Sequence, residues 1–96
     1  MRNLPAASEE FAAAVEWYEE QRKGLGADFY DAVIEATFLI EDQPDIGVSD
    51  PDTQTRRVMV KRFPYQVVYV ASEEEIVIVA IAHSRRQPGY WREGIE

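Results

Sequence analysis

The amino-acid sequence predicts an α+β domain: an N-terminal antiparallel helical hairpin packed on an antiparallel β-sheet of three to four strands. Three observations carry this reading. Apolar residues recur at helical spacing through the first half, as Phe11, Val15 and Tyr18 and then as Phe29, Val33, Ala36 and Ile40. Past Thr55 the period shortens to two, the repeat of a strand. Only a few residues, Gly24 and Gly26 among them, separate the two helical patterns, so the helices turn back on each other.

The first helix is expected over residues 8–23. Ser8 suits the N-cap, and Glu9 and Glu10 follow in the first turn, where the helix dipole favours acid. Ala12, Ala13 and Ala14 suit close packing, and Gly24 and Gly26 close the helix in the manner of a C-terminal cap. The second helix is expected over 27–43, with Pro44 as its stop. Residues 44–55 hold two prolines and three aspartates and read as a loop without regular structure. Strands follow at 56–63, 65–71 and 76–83. The run from Ile76 to Ala82 is apolar at every position, which marks a central strand covered on both faces. Met1 to Leu4 has room for a very short strand at the sheet edge. Tyr65 and Tyr69 share a strand face and read as packing residues.

Ninety-six residues make a single domain with one modest core. Hydrophobic residues at 46% and charged residues at 29% fit a globular chain rather than a disordered one. The absence of cysteine removes disulfide scaffolds, thiolate zinc sites and thiol nucleophiles, and a single histidine, His83, removes a His-rich metal site. The longest apolar run, seven residues, is far short of the roughly 20 a bilayer span requires. No apolar h-region follows Met1-Arg2-Asn3, so a soluble cytoplasmic protein with no membrane partner is expected. There is no glycine-rich phosphate loop, nucleophile elbow or helical carboxylate pair at metal-binding spacing, so neither cofactor nor metal is expected.

The net charge of −8 is unevenly divided. Residues 1–54 carry three basic and thirteen acidic side chains, a balance of −10; residues 55–96 carry seven basic and five acidic, a balance of +2. The acidic total opposes indiscriminate attraction to nucleic acid, while a local arginine-rich surface can still hold a carboxylate or phosphate.

Four pieces of sequence carry a family resemblance: Glu16-Trp17-Tyr18-Glu19, the Gly24-Leu25-Gly26-Ala27-Asp28-Phe29 turn, Arg62-Phe63-Pro64-Tyr65, and the segment from Ala80 through His83-Ser84-Arg85-Arg86-Gln87-Pro88-Gly89-Tyr90-Trp91. In this order, over about Leu4 to Trp91, they resemble the RelE/ParE superfamily of toxins from bacterial type II toxin–antitoxin pairs, often described as plasmid-stabilisation proteins. The resemblance implies a helical hairpin on a four-stranded antiparallel sheet. Relatives open with a strand of several residues before the segment that is Pro5-Ala6-Ala7 here, where only four residues precede it.

Two branches hang on this fold. RelE-like members are metal-free, ribosome-dependent messenger RNA endoribonucleases; ParE-like members poison DNA gyrase by protein–protein contact. For a nuclease, His83 would be general acid or base, Arg62, Arg85 and Arg86 would clamp phosphate, and Tyr90 would orient a base or a proton. The plainer roles are a structural hydrogen bond for His83, a solvated face for the arginines, and a plug over the sheet end for Tyr90 and Trp91. The net acidity, the sparse basic residues and the spacing of His83 and Arg86 after the last strand place the chain on the ParE-like, non-enzymatic side. A further alternative is an inactive remnant that only binds its antitoxin. In each case the resemblance implies a cognate antitoxin whose acidic residues would face toxin arginines, Arg56, Arg57, Arg62, Arg85 and Arg86 being the docking points; with Lys61 and Trp91 these form a surface for the antitoxin or the target. It would form a hetero-oligomer, or the toxin alone would pair as a homodimer.

Overall fold

Pro5, not Ser8, opens the first helix. A computed structural model describes residues 1–86 and 90–91. In it α1 runs Pro5–Gln21 behind Leu4 as N-cap, and the first intrahelical bond is Ser8 N–H to Leu4 O at 3.1 Å. Proline is well suited to this place, because its fixed φ is already helical and its missing N–H would have had no partner there. Ser8 and Glu9 therefore lie inside the helix rather than at its cap.

The second helix, α2, runs Leu25–Asp42. Gly24 at its N-cap has φ 90°, a left-handed conformation that suits glycine. Gly26, expected to help end the first helix, lies inside the second and is buried. A Cβ there would come 2.7 Å from the carbonyl oxygen of Val15, so the missing side chain is what lets the two helices close. Glu19 completes the corner: its carboxylate accepts from Gly24 N–H at 3.0 Å and Gly26 N–H at 3.0 Å, capping α2 from the preceding helix.

Five strands form one mixed sheet: β1 Arg2–Asn3, β2 Val48–Asp50, β3 Thr55–Met59, β4 Tyr65–Ala71 and β5 Ile76–His83, in the order β1-β5-β4-β3-β2. The α+β class and the hairpin-on-sheet architecture stand. The expected strand count rises by β2, which occupies the stretch read as unstructured and pairs with β3 through Val48 and Arg57. β1 runs parallel to β5, so the sheet is not wholly antiparallel. β3 stops at Met59 rather than Phe63, because Val60 N–H reaches Tyr65 O and Arg62 takes φ 70° in a tight turn. The middle strand is β4, while β5 lies between β4 and β1 and is covered on both faces.

The apolar run of β5 has a local cause. Tyr69 pairs with Ile78 and Val68 with Ala80, so Val79 is an extra residue, a bulge. Ile78 and Ile81 pack toward the helices with Phe29, Val33, Ile40, Val67 and Tyr69. Val79, Ala80 and Ala82 pack on the opposite face with Val68 and Trp91. Each large apolar side chain so buried contributes about 1.5–3 kcal/mol.

Candidate binding site

The helix-side core and the last strand meet at an aromatic cluster. The Phe29 ring lies 4.9 to 5.1 Å from those of Tyr18, Phe63 and Tyr65, Tyr18 lies 5.0 Å from Phe63 and 6.0 Å from Tyr65, and His83 adds an edge contact to Tyr65 at 5.1 Å. All four sequence pieces that carry the resemblance thus converge on one point. Their shared work is packing, with chemistry left to the side chains around it.

Two cavities flank the end of β5. One, of about 390 Å³, lies on the α1 side and is lined by Glu10, Trp17, Tyr65, His83, Arg86 and Tyr90 over a floor of Ala13 and Ala14. The other, of about 510 Å³, lies against the outer sheet face and is lined by Ser49, Asp50, Arg57, Gln66, Ser84, Arg86 and Trp91. Arg86 borders both. Arg57 points to that outer face because it stands opposite Val68 of the outer cluster.

The arginines fall into distinct groups. Arg56, opposite Tyr69, is tied to the loop before β2: its guanidinium donates to Asp45 O at 3.0 Å and Gly47 O at 2.9 Å. Lys61 pairs with Glu35 at 2.9 Å, and that hydrogen bond holds the Glu35 carboxyl below its ordinary range. Arg62 sits exposed on the β3–β4 turn. Arg85 is exposed, its backbone N–H donating to His83 Nδ1 at 3.1 Å. Arg57 and Arg86 share the outer cavity with Trp91 and have no carboxylate partner among the described residues.

Of the residues considered for nuclease chemistry, His83, Arg86 and Tyr90 line one cavity and Arg62 does not. The Tyr90 hydroxyl donates to Glu10, and burial, followed by that hydrogen bond, raises its pKa far above the ordinary phenol range. Trp91 is only 8% exposed, so it is a wall of the outer cavity more than a free surface. Gln87, Pro88, Gly89 and Arg92 lie outside the described residues. Among the described residues no three His, Asp or Glu side chains gather where a metal could bind, and no helix is long and apolar enough to cross a membrane.

A family model described as the ParE toxin of the type II toxin–antitoxin system parDE matches residues 3–88. The chain belongs to the ParE toxin family. No curated protein matches this ParE-family chain. A solved structure, the chromosomal ParDE TA system from P. aeruginosa, matches it with a TM-score of 0.74 at 14% identity, covering 85% of this chain and 91% of that one. At that identity the likeness is one of fold.

Within this ParE fold, sequence reasoning missed Glu10. One carboxylate oxygen accepts from Ile81 N–H at 3.1 Å, just past the end of β1, and the other accepts from Tyr90. Nothing local marks it, since its partners are 71 and 80 residues away.

Proposed function

We propose that the chain is the toxin of a type II pair, silenced by a cognate antitoxin, and that it acts on DNA gyrase by protein–protein contact. Family membership supports the class of protein. The observation that carries the mode of binding is the pair Arg57 and Arg86, two cations against the one carboxylate of Asp50 in the same groove and neither in an ion pair among the described residues, on a chain of net charge −8. In an acid-rich protein such cations are the natural anchors for an acidic segment of a partner, fixing its register and speeding encounter.

The same residues argue for contact over cleavage. A ribonuclease needs a base for the 2′-hydroxyl and cations around the phosphate. Here the cavity that holds His83 also holds the Glu10 carboxylate, which repels phosphate, and the Tyr90 hydroxyl is already committed to Glu10. The test is a supercoiling assay with purified gyrase and purified chain, beside a translation assay on ribosomes. Inhibition of supercoiling that survives His83→Ala supports the reading. Messenger RNA cleavage that is lost in His83→Ala would replace it with the nuclease, and inactivity in both assays with intact antitoxin binding would leave an antitoxin-binding remnant.

A further inference from the structure

Arg86 is placed by its neighbours rather than by an ion pair. Its guanidinium carbon lies 3.8 Å from the centre of the Tyr90 ring, a cation–π arrangement. That ring is fixed at its far end, where the hydroxyl donates to Glu10 on α1. Glu10 is itself fixed, because its other oxygen accepts from Ile81 N–H on β5. A chain of three links therefore runs from the strand edge through a helix carboxylate and a half-buried phenol to the cation that borders the outer groove.

We infer that Glu10 is a positioning residue: through Tyr90 it holds the Arg86 guanidinium on one face of the phenol ring, at the border between the α1-side cavity and the outer groove, where it receives an anionic side chain docked in that groove. This rests on the reading of that groove as a docking site. A free arginine loses much rotamer freedom when it binds, and a side chain stacked on an immobilised ring has lost part of it already. Burial and the bond to Glu10 both favour the protonated phenol, so Tyr90 remains a donor across the physiological pH range. The link also explains why β1 ends after Asn3 without leaving Ile81 N–H bare: the Glu10 side chain satisfies the donor that a longer first strand would have taken.

The probe is an acetylated hexaglutamate amide, titrated into ¹⁵N-labelled full-length chain while the Arg86 Nε–H resonance is followed. In the wild type this resonance is displaced by the Tyr90 ring current and moves on titration. Arg86→Ala is expected to weaken peptide binding about tenfold. Glu10→Ala and Tyr90→Phe are each expected to weaken it about threefold and to return the Arg86 resonance toward its free position, while Glu10→Gln, which keeps an accepting oxygen, restores most of the affinity. Neither Glu10→Ala nor Tyr90→Phe should weaken binding further in an Arg86→Ala background. If Arg86→Ala binds as tightly as wild type, the groove reading itself fails. If Arg86→Ala weakens binding but Tyr90→Phe leaves both the resonance and the affinity unchanged, the groove stands and the positioning role of Glu10 is overturned.

Discussion

Phe29 on α2 and Tyr65 on β4 meet edge-on, with ring centroids 4.9 Å apart and planes inclined at 67°. Phe29 is fully buried and also touches the rings of Phe11, Tyr18 and Phe63. It is the keystone between the helical hairpin and the sheet. Phe29→Ala is expected to cost about 3–5 kcal/mol, a large share of the stability of a domain this small. Urea denaturation checks this, and a loss under 1 kcal/mol would mean that the cluster is not the organising core.

Gly26 makes the second prediction. With the Val15 carbonyl oxygen 2.7 Å from where its Cβ would stand, Gly26→Ala cannot be absorbed by a side-chain movement. The helices must separate, at a cost of about 1–3 kcal/mol, despite the better helix propensity of alanine. Thermal melting of Gly26→Ala beside Ala27→Gly separates packing from propensity, since both variants change propensity and only the first adds a clash.

Tyr69 makes the third. Its hydroxyl donates to Pro44 O at 2.7 Å and accepts from Gly47 N–H at 3.0 Å, bracing the segment that leads into β2. Tyr69→Phe leaves the buried Gly47 N–H unpaired and should cost about 1–3 kcal/mol. Hydrogen exchange should show the loss concentrated in residues 44–50, with β4 and β5 still protected. Uniform loss of protection would contradict a local brace.

Those residues also show where the sequence was legible and where it was not. Both helices follow from 3.6-residue periodicity, and their bounds shifted because Pro5 and Gly24 outrank Ser8 and Ala27 as start signals. β1 and β2, at two and three residues, are too short for any period to register. β2 exists because Arg56 and Tyr69 hold residues 44–47 in place, which is tertiary information. The arginines were visible as residue types, but only the fold separates Arg56, spent on the loop, from Arg57 and Arg86, which share a groove. Glu10 was hidden for the same reason.

Alkaline pH supplies the fourth prediction. Burial raises the pKa of Tyr18, Tyr65 and Tyr90, and the bond to Glu10 raises that of Tyr90 further. A group with a raised folded pKa contributes stability below its unfolded pKa and loses it as pH rises toward the folded value. These tyrosines ordinarily titrate near 10.0, so stability should fall as pH climbs above that value. In Tyr90→Phe the fall should be shallower. An ultraviolet phenolate titration checks it: Tyr90→Phe should remove a phenol that ionises above the ordinary tyrosine range, and loss of one that ionises within that range would refute the buried hydroxyl.

Gyrase rather than messenger RNA is the target proposed for this ParE-family chain. The most direct test is pulse-labelling of bacterial cells after induction of the chain alone, following DNA and protein synthesis in parallel. DNA synthesis should fall first, with filamentation, while methionine incorporation continues. Early loss of methionine incorporation while DNA synthesis persists would contradict that target.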